Sequence, residues 1–341
     1  MQEYSGNHIV TQGHVDYSEL KIILTESCNA ACSFCLQGKN SAFKPPFMAQ
    51  EKVLQWIDWA VENNINTIRF TGGEPTLHQD LKLFCAYAKL NHRQIILNTH
   101  GSARLPLYRK LFPYLSKISV SMPHMDGTES DRITGIRGGF EKKLKTIREA
   151  LAAAVPVLLP TALSTGLKGK LIEFVRFCQE NPGTYWGPLR HMPSPDNLQP
   201  WSGADAQDFA KEISQLMRTY PLVVSGLRNA TPFCAVKPLT LGARVFSQRM
   251  YDCNLATNIT VDVDGNLKTC YISPELEIKN KMAQAQAAPK QYGCCSVTDL
   301  PDECQQCEYL LQCGGGCHSP LALVKYQGKN IDYLAGFVAG K

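Results

Sequence analysis

Residues 19–192 alternate between two hydrophobic periods, and that alternation leaves the chain few folds to adopt. Short β-type runs read at 20–25, 67–71, 94–98, 117–121, 156–161 and 189–192. Helical patterns fill the gaps at 49–63, 80–91, 105–115, 140–154 and 168–180. In the fourth of these, Leu144, Ile147 and Leu151 recur at helical spacing with charges on the opposite face. Strands alternating with helices predict a parallel sheet with right-handed crossovers. Six strands rather than eight predict an α/β fold of the partial (β/α)6 barrel type, open on one side. Its ligands would bind at the C-terminal ends of the strands, where the loops converge.

Two loops on that face carry chemistry. After the first strand comes Cys28-Asn29-Ala30-Ala31-Cys32-Ser33-Phe34-Cys35, with cysteines spaced C-x3-C-x2-C. Three thiolates on one tight loop can hold three irons of a cubane [4Fe–4S] cluster. The fourth iron has no thiolate here, and an open iron is what a cluster needs to bind a small molecule and pass it an electron. After the second strand, Gly72-Gly73-Glu74-Pro75 forms a turn whose glycines let backbone approach a ligand closely.

The bulk numbers suit this reading. The 341 residues exceed one average domain and fit a barrel plus an appendage. A net charge of +5 without a long basic run gives no reason to expect nucleic acid. No run of about 18 apolar residues reads as a membrane span, and residues 1–15 lack a signal-peptide core. Fourteen cysteines without such a signal favour metal ligation in the reducing cytoplasm over disulfides.

The cysteine loop and the GGEP turn together resemble the radical S-adenosylmethionine (radical SAM) superfamily. The resemblance implies a [4Fe–4S] cluster on Cys28, Cys32 and Cys35, with S-adenosylmethionine on its open iron. Reductive cleavage then yields a 5′-deoxyadenosyl radical that abstracts hydrogen from substrate. The resemblance further implies Phe34 near the adenine. Gly72, Gly73, Glu74 and Pro75 would lie at the methionine amino group. Asn98, Ser119 and Ser121 would face the ribose and methionine portion, Arg137 the methionine carboxylate, and Leu163 the adenine. The bland alternatives are a hydrophobic plug for Phe34 and a solvated loop residue for Arg137.

From about residue 251 the periodicity fades and cysteines dominate. Cys253 and Cys270 flank an expected hairpin turning at Asp264-Gly265. Cys304, Cys307, Cys313 and Cys317 follow as C-x2-C-x5-C-x3-C. This resembles the SPASM or twitch-type auxiliary domain, which implies one or two further [4Fe–4S] clusters. Cys253, Cys270 and Cys317 would belong to the inner cluster, and Cys304, Cys307 and Cys313 to the outer. The last cysteine of that pattern is missing, since none follows Cys317. Cys294 and Cys295 are candidates to supply the missing ligands, one to each cluster. A single auxiliary cluster and a four-thiolate zinc site are the alternatives. Cys85 and Cys178 read as core residues, and Cys234 has no assignment. The domains expected are the barrel at 17–225, a linker at 226–250, the auxiliary-cluster domain at 251–320 and a tail at 321–341.

The leading functional reading is an oxidoreductase or peptide maturase that modifies a ribosomal peptide by cross-linking, epimerisation or oxidation. The alternative is a dehydrogenase or epimerase of a small natural-product intermediate, such as an aminosugar or nucleoside. A non-catalytic zinc-binding interaction protein is the reading from a different class. Too few residues precede the first strand for the leader-binding domain of many relatives, so a separate leader-peptide-binding protein is one expected partner. An external electron donor such as flavodoxin or ferredoxin is another. Candidate substrate-facing residues are Tyr185, Trp186, Arg190 and His191 around the last strand, with His124 and Asp126 after the fourth; Tyr271 is a further catalytic candidate. Tyr271 stands where sulfatase-maturing relatives carry an aspartate. His191, with an ordinary pKa near 6.5, reads as a proton acceptor or as a hydrogen-bonded structural histidine.

Overall fold

The computed structural model describes residues 3–5, 8–10, 19–36, 46–193, 201–229, 231–236, 258–268, 301–307, 313, 316, 323–332 and 334–335. A short antiparallel pair, β1 (Glu3–Ser5) and β2 (His8–Val10), comes first. The alternating region then runs β3 (Glu19–Thr25), α1 (Gln50–Glu62), β4 (Thr67–Gly72), α2 (Leu81–Leu90), β5 (Gln94–Thr99) and α3 (Leu105–Leu111). It continues through β6 (Lys117–Val120), α4 (Gly127–Thr134), α5 (Gly139–Ala152), β7 (Val157–Leu163), α6 (Ile172–Glu180) and β8 (Thr184–Arg190). Beyond it lie α7 (Gly203–Thr219), α8 (Phe233–Val236), the hairpin β9 (Asn258–Val261) and β10 (Leu267–Lys268), α9 (Asp302–Gln305), and a second hairpin of β11 (Leu323–Tyr326) and β12 (Lys329–Asp332).

Strands β3 to β8 pair in parallel and in sequential order, and the sheet does not close. The fold is therefore a partial (β/α)6 barrel. Strand β9 adds to it in parallel beside β3, so the cysteine-flanked hairpin extends the sheet of the barrel. Its turn is held by Asp262, whose Oδ1 accepts the Asp264 and Asn266 amides at 3.1 and 2.8 Å. The core lies between sheet and helices, where Leu20, Ile22 and Phe70 from the strands meet Trp56, Ile57 and Phe84 from α1 and α2.

The sequence expectations fail in two places for local reasons. Strand β8 begins at Thr184, not 189, because Gly187-Pro188 reads as a breaker. Pro188 is tolerated at this edge of the sheet, where its missing N–H faces the 223–228 segment, which bridges β8 at Val224 and Arg228. Helix α4 escaped notice because its polar sequence shows little apolar periodicity. Its signals are caps: Asp126 accepts the Glu129 amide at 2.9 Å, and Gly135 ends the helix at φ 68°.

Helix α5 buries Ile147 and Ala150 as its pattern requires, and α7 buries Phe209 and Ile213. A reciprocal Ser202–Asp205 capping box starts α7, whose Phe209 stacks on Trp201. The second hairpin is tied to the barrel by Arg190 and Asp332, both fully buried, with Nη2 donating to Oδ1 at 2.8 Å. Among the described residues no helix is long and apolar enough to cross a membrane.

Candidate active site

The GGEP turn is clamped onto the cysteine loop by backbone. The Gly73 and Glu74 amides each donate at 2.8 Å, to the carbonyls of Thr25 and Ser27. A Cβ on Gly72 would stand 2.2 Å from Thr25 O, and φ is +139° there; a Cβ on Gly73 would stand 2.2 Å from Ser27 O. Only glycine fits either position. On its other side the loop rests on α4, where the Ala31 and Ser33 amides donate to Thr134 O at 2.9 Å and Ile133 O at 3.1 Å.

A cavity of about 360 Å³ opens where these loops meet. Cys28, Cys32, Cys35 and Phe34 form one wall, and Gly72, Gly73, Asn98, Ser119 and Ser121 continue it. The cysteine loop, the glycine turn and the ends of β5 and β6 thus converge as the strand-end rule requires. Pro75 and Glu74 are buried beneath the turn, and Leu163 is fully buried in the core; none of the three lines the cavity. Arg137 is exposed in the turn between α4 and α5, also away from the lining. Tyr185 points outward from β8 and is 41% exposed. His191 is buried outside the lining, and burial holds its imidazole below the ordinary value of 6.5. His124 and Asp126 form the start of α4, with Nδ1 of the first accepting the amide of the second at 2.9 Å.

Glu74 belongs to the GGEP motif, but the partners that join it to the cysteine loop have no sequence signature. Glu74 is a buried latch. Its Oε1 accepts the Thr76 and Thr99 hydroxyls at 2.7 and 2.8 Å, and its Oε2 accepts the His100 amide at 2.8 Å. His100 reaches back to the cysteine loop, with Nε2 2.7 Å from Asn29 Oδ1. Its Nδ1 accepts the Ser102 amide at 2.9 Å, which assigns the proton to Nε2. One network therefore joins the GGEP turn, the end of β5 and the loop. On the cavity floor, Arg69 makes a bidentate pair with Glu19 at 2.8 and 2.7 Å, and its Nη1 donates to Asn98 Oδ1 at 2.8 Å. The Asn98 carbonyl is thereby already engaged. Arg228 and Asn229 close the far end of the cavity, beside Pro160 and Leu189. The nearest signal for His100 was its position just beyond the end of β5, whereas Arg69 lies inside β4 and carried none.

The three thiols fit a cubane cluster. Among the described residues no three His, Cys, Asp or Glu side chains converge as a single ion demands. A cubane asks instead for one thiolate per iron, spread around a shared wall, and Cys28, Cys32 and Cys35 provide that. The Ala30 amide donates to Cys28 Sγ at 3.4 Å. Burial pushes the Cys28 thiol up to about 11, and burial with the neighbouring Cys28 pushes Cys32 up to about 12. Lys143, fully buried and with no hydrogen-bond partner for its amine among the described residues, places a cation in reach of Cys32. Burial lowers that amine to about 8, and the Cys32 and Asp131 charges oppose the fall.

A pH dependence follows. Both thiols start from 9.0 and are raised in the fold, so the folded chain without its cluster holds these protons more tightly than the unfolded chain. That contribution is complete below about pH 9 and is lost as pH climbs toward 11 and 12. The urea midpoint of the cluster-free protein should fall above pH 9, and Cys28→Ser with Cys32→Ser should flatten part of the fall. An equal slope in the double variant would refute the assignment.

Of the C-terminal cysteines, Cys304 and Cys313 are buried and Cys307 is half-buried, none of them in a disulfide among the described residues. Cys253, Cys270, Cys294, Cys295 and Cys317, with Tyr271, lie outside the described residues.

Comparison with known proteins agrees with this geometry. The model of the Radical SAM superfamily matches residues 22–179, which contain the cysteine loop and the glycine turn. In sequence the chain is similar to the mitochondrial GTP 3′,8-cyclase of Arabidopsis thaliana. The two are 22% identical over 273 residues, 76% of this chain and 68% of that one. In fold it is similar to Streptococcus suis SuiB bound to S-adenosylmethionine, with a TM-score of 0.73 and 15% identity over 94% of this chain and 77% of that chain. SuiB has also been solved with its precursor peptide SuiA, at a TM-score of 0.71. The structure of anSMEcpe with bound AdoMet gives a TM-score of 0.67 and 14% identity over 94% of each chain. Residues 22–179 thus match the Radical SAM superfamily, and three cysteines and two obligatory glycines on one cavity wall suit its cofactors, S-adenosylmethionine and a [4Fe–4S] cluster.

Proposed function

We propose that this chain reductively cleaves S-adenosylmethionine and abstracts hydrogen from a ribosomal peptide, whose residue it then cross-links, epimerises or oxidises. The observation that carries the chemistry is the shared cavity of Cys28, Cys32 and Cys35 with Gly72, Gly73, Ser119 and Ser121. When bound, the cluster and S-adenosylmethionine supply an electron and a primary carbon radical. The residues of the chain do the placing. Gly72 and Gly73 allow backbone to border the cofactor, while Ser119 and Ser121 offer hydroxyls to it. Pro160 and Leu189 provide an apolar wall that keeps water from a reactive intermediate. The likeness in fold to SuiB, solved with a precursor peptide, supports the peptide reading.

A second reading is favoured by the far end of the cavity. Arg228 and Asn229 stand there, beside Pro160 and Leu189. A small anionic substrate suits that end, and a relative in sequence is a GTP 3′,8-cyclase. The C-terminal cysteines would hold one or two auxiliary clusters, with a flavodoxin or ferredoxin as electron donor and a separate protein presenting any leader peptide.

The test is anaerobic. Reconstituted enzyme with dithionite and S-adenosylmethionine should release methionine and 5′-deoxyadenosine. Absence of both from iron-replete protein would refute the reading. Candidate peptides and nucleoside triphosphates, each deuterated, then compete, and transfer of the label into 5′-deoxyadenosine identifies the substrate class.

A further inference from the structure

Cys234 is unassigned by sequence, yet the fold carries it to the C-terminal cysteines. It sits on α8, and the amide of its neighbour Phe233 donates to Cys313 Sγ at 3.4 Å across 80 residues. The same segments pack directly: a Cβ on Gly316 would stand 2.7 Å from Pro232 Cγ and 2.8 Å from Asp332 Cβ. The buried Arg190–Asp332 pair therefore fixes this corner against the end of β8. Cys304 and Cys307 occupy α9 and its end, joined by the Cys307 amide donating to Cys304 O at 3.1 Å. Cys304 feels the charges of Cys313, Cys234 and Cys307 in that order, after burial, and its thiol is pushed up to about 12. None of the four forms a disulfide among the described residues.

We propose that Cys234, Cys304, Cys307 and Cys313 are the four thiolate ligands of one [4Fe–4S] cluster, with Cys234 in the place that the sequence pattern offers to Cys294 or Cys295. A tetrahedral zinc would draw four sulfurs to about 2.3 Å from one point. A cubane holds its four thiolates further apart, one on each iron. The amide on Cys313 Sγ is a contact that tunes cluster sulfur. With four thiolates no iron of this cluster is left open, which suits electron transfer rather than substrate binding. The ligand also ties residues just after the barrel to the auxiliary domain.

This inference rests on the reading that the C-terminal cysteines hold an auxiliary cluster. Iron and sulfide of anaerobically reconstituted wild type check that reading first. About four irons per chain, those of a single cubane, would refute the reading itself. With more iron present, Cys234→Ala should lose one to four irons and show the EPR signal of a three-iron cluster. Cys294→Ala and Cys295→Ala should leave the Cys304 cluster intact. Full iron in Cys234→Ala, or a loss seen only in the other two variants, would overturn the proposal, as would stoichiometric zinc. Alkylation of wild type covers a variant that fails to fold. Half-exposed Cys234 should resist iodoacetamide in the loaded protein and react once chelators remove iron. Rapid labelling in the loaded protein would also overturn the proposal.

Discussion

Changing Cys28, Cys32 and Cys35 together to alanine should abolish formation of 5′-deoxyadenosine and remove about four irons, those of one cubane. Iron at the C-terminal cysteines should stay. The loop itself should survive, because its backbone is held by Thr134 and Ile133 carbonyls on one side and by the Gly73 and Glu74 amides on the other. Removing three partly buried thiols deletes donors without deleting those bonds. Unchanged far-ultraviolet dichroism is therefore the control. Any reductive cleavage of S-adenosylmethionine by the triple variant would show that electrons reach the cofactor from elsewhere, and the assignment of the loop would fall. A loss of all iron would instead show that the two cysteine fields assemble together.

The parts of the molecule that local sequence revealed are those fixed by local physics. Strands β3 to β7 and helices α1, α2 and α5 carry their hydrophobic period within a dozen residues, so their positions were legible. The C-x3-C-x2-C spacing was legible for the same reason. What stayed hidden was pairing across the chain. Arg69 meets Glu19 fifty residues away, His100 meets Asn29 across 71, and Arg190 meets Asp332 across 142. No periodicity marks such partners, since they are set by which strand ends the sheet brings together. Arg137 illustrates the converse. Its glycine-flanked setting resembles that of a ligand-binding arginine, yet the α4–α5 turn leaves it exposed, and the arginines on the cavity are Arg69 and Arg228. Cys234 had the right chemistry but no spacing to declare it, because its neighbours in space come 70 to 79 residues later in the chain.

The glycines of the GGEP turn were read as room for a ligand, and the structure adds a second and stricter demand. At Gly73 a methyl group would lie 2.2 Å from Ser27 O, 2.6 Å from Glu26 O and 2.6 Å from Ser27 C. All three atoms are backbone, so no flexible side chain can yield. Either the turn or the cysteine loop must move, and both are hydrogen-bonded to each other and to the network of Glu74, His100 and Asn29. Gly73→Ala should therefore destabilise the fold by about 1–3 kcal/mol, the usual cost of overpacking. It should also reduce iron at the first site and cut the rate of S-adenosylmethionine cleavage by more than tenfold. Gly166→Ala is the matched control, since its Cβ would meet only Ser164 Oγ at 3.9 Å; it should leave stability, iron and rate unchanged. If Gly73→Ala melts like wild type but loses cofactor affinity, the glycine serves ligand approach alone. If it keeps wild-type iron and rate, the loop and turn are not the rigid unit that their backbone contacts imply.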